Sequence, residues 1–361
     1  FDTVIVDEAG KANLSETLAS ISIADKIILV GDHRQLPPYI DREKVKYFVD
    51  LDKNNTEAQI NKALSGSMFE YLQEVLPETH KIMLNVQHRM HPNISRFISN
   101  TFYRGKIKDG PKTKEKRMIL NPPYDKEVIF FDTSNDKNPY ETYGEKHSIY
   151  NQLEAKIITE SVIPAVLNEN IVNEKDIAII TPYRGQKTLI QNILKKGKHN
   201  NIEVATLDSF QGRQVKILIM SFTRSARGRK VGFLDDARRL NVALSRPEKK
   251  LILVGNSKTL SHPNCHEDSY YVDLFKKLIF HTGSCGSHIY HKEIYRRRSY
   301  IKNNAYKRKN QNLRPESMYK NGDKVSGKIM KRVKSGILVR LENGFVGQIH
   351  DPQNILSGKR L

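Results

Sequence analysis

Phe1-Asp2-Thr3-Val4-Ile5-Val6-Asp7-Glu8-Ala9-Gly10 is a β-branched run that ends in two acids and a glycine. Val4, Ile5 and Val6 favour a strand buried on both faces, as in parallel sheets. In open α/β sheets, ligands collect beyond the carboxyl ends of the strands, so two carboxylates at such an exit suit a nucleotide site. Asp7 can hold Mg²⁺ through water, and Glu8 can polarise an attacking water. In isolation the same pair also reads as a satisfied loop.

Similar apolar runs recur at 26–30, 127–131, 176–180, 204–207, 215–221 and 250–254, with helix-period stretches at 14–23, 152–167, 186–196 and 235–244. Buried strands alternating with helices predict an α/β, doubly wound parallel sheet. Residues 41–66 and 104–126 are polar and weakly periodic and read as surface insertions or loops. The second run enters Gly31-Asp32-His33-Arg34-Gln35-Leu36-Pro37-Pro38. Gln35 there can hydrogen-bond a γ-phosphate oxygen and the catalytic water together. A proline-terminated turn is the bland alternative, but it leaves the acids one strand earlier unexplained.

With these two signatures the chain resembles superfamily 1 helicases, most closely the up-frameshift-like branch. The other signatures follow in the family's order: Gln87-His88-Arg89-Met90-His91-Pro92, Phe102-Tyr103-Arg104-Gly105, Ser148-Ile149-Tyr150-Asn151 with Glu154, and Thr181-Pro182-Tyr183-Arg184-Gly185-Gln186. Thr206-Leu207-Asp208-Ser209-Phe210-Gln211-Gly212-Arg213 and Arg238-Arg239-Leu240-Asn241-Val242-Ala243-Leu244-Ser245-Arg246 close the set. The resemblance covers about residues 1–260 and implies RecA-like domains. It implies ATP and Mg²⁺ as cofactors and translocation 5′→3′ on single-stranded nucleic acid, RNA favoured over DNA.

By the same resemblance, Asp7, Glu8, Gln35, Arg89 and Arg246 are catalytic, with Arg89 and Arg246 as arginine fingers. Gly31, Asp32, Gln211, Gly212 and Gln214 would bind ATP, and Asp7 would hold the metal through water. Pro37, Thr181, Pro182, Tyr183, Thr206 and Ser209 would contact the strand, with a core role for Tyr183 or Phe210 left open. Two departures stand out. Gln214 occupies a position where the family usually has glutamate, which implies altered sugar selection. No Gly-x-x-x-x-Gly-Lys-Ser/Thr phosphate loop occurs, so the chain is expected to be part of something longer and to lack ATPase activity alone. A catalytically silent nucleic-acid-binding scaffold derived from such a motor is the competing reading; retention of the catalytic set argues against it.

Sixty Lys+Arg against 40 Asp+Glu give a formal charge of +20, which attracts polyanions. No apolar run reaches the ~20 residues of a membrane span, so nucleic acid is the favoured partner and a membrane is not. Two cysteines, Cys265 and Cys285, fit a reducing intracellular compartment, the cytoplasm before the nucleus. Residues 291–320 interleave tyrosines with Lys and Arg and read as a linker. From Gly322 onward short strands separated by turns, Asn343-Gly344 among them, read as all-β. Gly322-Asp323-Lys324-Val325-Ser326-Gly327, the turn at Gly336 and Gly347-Gln348-Ile349-His350 resemble the start of an S-one-type RNA-binding OB barrel, with Phe345 and His350 as candidate platforms and a small structural β-domain as the alternative. The expected division is therefore 1–79 (tail of a first RecA-like domain), 80–260 (a second), 261–320 (basic linker) and 321–361 (partial OB domain). His262, Cys265, His266, His281, Cys285, His288 and His291 are a candidate zinc set of unrecognised spacing.

Overall fold

The computed structural model describes residues 1–39, 42–51, 56, 66–144, 148–168, 171–210, 212–226, 230–291, 327–333, 336–341 and 346–349. One compact unit spans Phe1–Arg296 and a second spans Arg297–Leu361. The first unit opens with a parallel pair, β1 (Thr3–Val6) and β2 (Lys26–Leu29), joined through the helix Leu14–Ile21. Asn13 starts that helix with a capping box, its side chain accepting from the Glu16 N–H while the Glu16 carboxylate accepts from the Asn13 N–H, both at 2.9 Å. Two short pairs follow, β3 (Val86–Gln87) with β4 (Lys108–Asp109) and, further on, β6 (Thr142–Tyr143) with β7 (Ile149–Tyr150).

The main layer is a six-stranded, all-parallel sheet. It comprises β5 (Val128–Asp132), β8 (Ile177–Thr181), β9 (Glu203–Thr206), β10 (Val215–Ser221), β11 (Pro247–Gly255) and β12 (Ser287–Tyr290), in the order β12-β5-β11-β10-β8-β9. Side chains alternate between two cores, as a period of two demands. Phe130, Leu218, Met220 and Leu253 meet Ile94, Phe97, Ile98 and Phe275 on one face. Ile129, Phe131, Ile217, Ile219, Ile252 and Val254 meet Ile157, Ile158, Val162 and Ile163 on the other.

Three expectations change. β1 and β2 are only half buried, with Ile5 66% exposed, because among the described residues no third strand joins them. The stretch 261–290, read as the start of a linker, is folded. The helix Ser269–Cys285 buries Val272, Leu274, Phe275 and Leu278, and β12 pairs with β5 at the sheet edge. Gly286 permits that junction, since a Cβ there would collide with the carbonyl of Val128. Third, Arg42–Leu51, within a predicted loop, is helical.

The expected helix 152–167 is present but carries a π-helical turn, Ile157–Val162, between Gln152–Lys156 and Ile163–Leu167. Pro164 removes one rung of the ladder there, and the Ile163 N–H reaches Ile158, five residues back. In the second unit β13 (Gly327–Val333), β14 (Gly336–Leu341) and β15 (Val346–Ile349) form an antiparallel meander. Phe345 and His350, the expected platforms, lie outside the described residues, as do 292–326.

Candidate functional site

The acid loop and the glutamine loop touch backbone to backbone. The Ala9 N–H donates to the Val30 carbonyl at 2.8 Å. A Cβ on Gly10 would lie 2.9 Å from the Asp32 carbonyl oxygen, and one on Gly31 would lie 2.7 Å from the Gly10 nitrogen. Only glycines allow this approach. Between them Glu8 takes a left-handed φ of 54°, with its N–H held by Asp7 Oδ1 at 2.8 Å. Such a conformation costs a non-glycine residue roughly 1–3 kcal/mol and clusters at working sites. Both acidic side chains are exposed at the strand exit.

Gln35 is the junction to the main sheet. Its Nε2 donates to Asp32 Oδ2 at 2.9 Å, and its Oε1 accepts from Arg246 Nη2 at 3.4 Å. Asp32 Oδ2 also accepts from the Tyr103 hydroxyl at 2.5 Å. That hydroxyl in turn accepts from Asn241 Nδ2 at 2.8 Å, and Asn241 donates to the Arg34 carbonyl at 2.9 Å. Burial, followed by the Asp32 carboxylate, pushes the Tyr103 phenol well above its ordinary range, so it stays a donor.

Arg89 enters from the turn before the helix Pro92–Phe102. The Gln87 side chain fixes that turn, with Oε1 accepting from the Arg89 and Met90 N–H groups at 2.9 and 2.7 Å. Arg89 Nη1 donates to the Ser245 carbonyl at 3.3 Å, one residue before Arg246. Burial lowers the Arg246 pKa, and the neighbouring Arg89 charge lowers it further, with Glu8 opposing. Burial likewise lowers that of Arg89, with Glu248 and Tyr103 opposing. The Nε of each arginine is buried and has no partner among the described residues. Two adjacent guanidiniums, Arg246 buried and Arg89 half-buried, each with an orphaned Nε–H and repelling the other, are the electrostatic complement of a polyanion.

The expected strand contacts divide. Thr206 and Ser209 sit at the surface, their hydroxyls 2.9 Å apart, and Pro182 and Pro37 are half-buried. Thr181 and Tyr183 are buried, contrary to a direct contact through their side chains. Thr181 Oγ1 bonds Thr223 Oγ1 at 2.9 Å, and the Tyr183 hydroxyl donates to the Val231 carbonyl at 2.6 Å. Phe210 is a core aromatic as well. Gly212 and Gln214 are exposed, Gly212 at a φ of 78°; Gln211 lies outside the described residues.

Behind Thr181 lies a buried polar network. Glu154 Oε2 accepts from the Ser221 hydroxyl at 2.6 Å and the Thr223 N–H at 2.8 Å, while its Oε1 finds no partner among the described residues. Burial, with Glu141 assisting, pushes Glu154 up to about 8. Glu141 itself pairs with Arg224 at 3.1 Å. The roles of Tyr103 and Asn241 were missed in the sequence, since only three-dimensional proximity joins them to Asp32. Their place inside quoted signatures was the available hint. The candidate zinc residues do not converge. His266 bonds Asp235 and the Leu260 carbonyl, His288 bonds Asp132, His281 bonds the Asn93 carbonyl, and no metal-holding group occurs among the described residues.

A family profile described as AAA domain matches residues 64–258, and a second of the same description matches residues 1–43. The Regulator of nonsense transcripts 1 homolog of Drosophila melanogaster is 35% identical over 271 residues, covering 72% of this chain and 21% of its own length. The DNA polymerase alpha-associated DNA helicase A of Schizosaccharomyces pombe is 34% identical over 272 residues, covering 72% and 38%. Among solved structures, the PRRSV helicase aligns over 95% of this chain and 43% of its own at a TM-score of 0.34 and 13% identity. A parallel α/β sheet matched over more than half the chain by that profile makes this an AAA-domain protein. Within that class the chain belongs to the superfamily 1, up-frameshift-like helicases. It spans between a fifth and two fifths of the length of these two curated relatives.

Proposed function

We propose that this chain forms the hydrolysis-sensing half of an ATP-dependent helicase that moves 5′→3′ on single-stranded nucleic acid, RNA before DNA. The observation that carries this reading is the contact of buried Arg246 with Gln35 beside the acid loop, with half-buried Arg89 bonded to the Ser245 carbonyl one residue away. In it, residues 1–79 are the tail of one RecA-like domain, and the six-stranded sheet is the core of a second. The meander at 327–349 begins an OB-type domain.

The residues present fit the nucleotide and its metal. The orphan guanidinium donors suit phosphate oxygens, and the exposed Asp7 and Glu8 carboxylates are hard oxygen donors suited to Mg²⁺. Mg²⁺, when bound, would neutralise charge on the β- and γ-phosphates, with Asp7 holding it through water. Glu8 accepts a proton from water as the water oxygen attacks the γ-phosphorus and the bond to the β-phosphate oxygen breaks, releasing ADP. Gln35 orients that water, and Arg89 and Arg246 stabilise the equatorial charge. Loss of the phosphate frees Arg246 and Gln35 to re-pair, which transmits hydrolysis through Asp32 and Tyr103 to the main sheet.

The full-length protein is expected to hydrolyse ATP faster when single strands are added. Glu8→Gln is expected to lower kcat by ~10²–10⁴ while ATP binding persists. An unchanged kcat in that variant would remove Glu8 from the mechanism. Residues 1–361 alone are expected to show no turnover, and turnover by them would refute an external phosphate loop.

A further inference from the structure

Phe233 lies in the single turn Gly232–Leu234, between the buried side chains of Val231 and Leu234, and is itself 52% exposed. One exposed phenylalanine means little by itself. This one is held in place from several sides. Its ring and that of buried Tyr183 form a T-shaped pair, centroids 5.9 Å apart and planes at 77°, and the Arg239 guanidinium lies over the Phe233 ring, 5.4 Å from its centroid. Arg239 is fixed in turn by Asp208 at 3.0 Å and Asp236 at 3.2 Å. Tyr183 is anchored through its hydroxyl to the Val231 carbonyl at the start of the same turn. Gly232, at a φ of 61°, makes the turn possible. Asp208 belongs to the loop that presents the Thr206 and Ser209 hydroxyls.

We propose that Phe233, backed by Arg239, is a stacking platform for one base of the single strand. This rests on the nucleic-acid reading above and adds an element that no motif assigned. Phosphates are disfavoured beside Asp208 and Asp236, whereas an uncharged base face suits an immobilised ring with a cation behind it. A platform of this kind reads no sequence, because every base has a π-face. Tyr183 then supports the strand indirectly, as the buried strut under Phe233. That role explains its burial beside residues expected to touch the strand.

The chain contains no tryptophan, which makes the test direct. Phe233→Trp introduces a single tryptophan at the platform, excited beyond the absorption of the tyrosines, and Phe280→Trp places one on the helix Ser269–Cys285, where Phe280 is 76% exposed. Each chain is titrated with single-stranded oligouridylate of about ten nucleotides, within the span such sites cover. Binding is followed in parallel by anisotropy of a labelled strand. The expected result is saturable quenching of the Phe233→Trp emission at the anisotropy midpoint, with none for Phe280→Trp. Phe233→Ala is expected to weaken binding ~10-fold, and Phe233→Trp is expected to retain it. Binding without quenching at position 233, or unweakened by Phe233→Ala, would overturn the platform and leave the helicase reading standing. No binding by any of the chains, wild type included, would overturn both.

Discussion

Burial disfavours the charge on Arg246, the neighbouring Arg89 disfavours it further, and Glu8 opposes both. An arginine in that setting works by position, so its geometry matters beyond its charge. Arg246→Ala is expected to lower the strand-stimulated kcat by ~10³–10⁵, and Arg246→Lys to recover little of it. Tyr103 acts one step back, as a positioning residue. Tyr103→Phe removes a hydroxyl that donates to Asp32 and accepts from Asn241. The loss of such a buried bond is expected to cut strand-stimulated kcat about 10-fold with little change in the KM for ATP. An equal fall in basal and stimulated rates would reduce Tyr103 to a structural role.

Among the elements, the helix from Gln152 through Leu167 joins its π-turn to the polar network under Thr181. The native state holds a proton on Glu154 up to about pH 8, whereas an ordinary glutamate releases it near 4.5. The contribution of this group is therefore full at low pH and is lost as pH rises between those values. Glu154→Gln keeps the uncharged shape, so its unfolding midpoint is expected to decline less than that of wild type across that window. Parallel declines would show that Glu154 does not titrate there. The helix Ser269–Cys285 belongs to the core, so Phe275→Ala is expected to cost ~3–5 kcal/mol in a denaturant titration.

That helix also shows where sequence legibility stopped. The central strands were readable because runs such as Ile177–Thr181 are apolar on both faces and cannot be anything else of that length. Ser269–Cys285 hides its apolar stripe among Tyr, Lys, His and Ser, beside basic sequence that suggested a linker. The helix Pro92–Phe102 is similarly disguised by Asn and Ser, although Ile94, Phe97, Ile98 and Phe102 sit at helical spacing. At the site, the catalytic candidates were legible from motif order alone. The Asp32–Tyr103–Asn241 bridge was not, because its successive members lie 71 and 138 positions apart.

At the scale of the whole molecule, the formal charge of +20 and the proposed nucleotide site make separable predictions. Charge alone would give binding that weakens steeply with salt for any polyanion. A motor must also convert strand binding into faster chemistry through the contacts between Gln35 and Arg246. The direct measurement is single-strand-stimulated ATP turnover by the full-length protein, wild type against Arg246→Ala, with RNA and DNA strands of equal length. A motor of this kind shows stimulation of the wild type, stronger with RNA, and its collapse in Arg246→Ala with strand affinity retained. Strand binding by a wild-type protein that shows no turnover would contradict this and leave a nucleic-acid-binding scaffold.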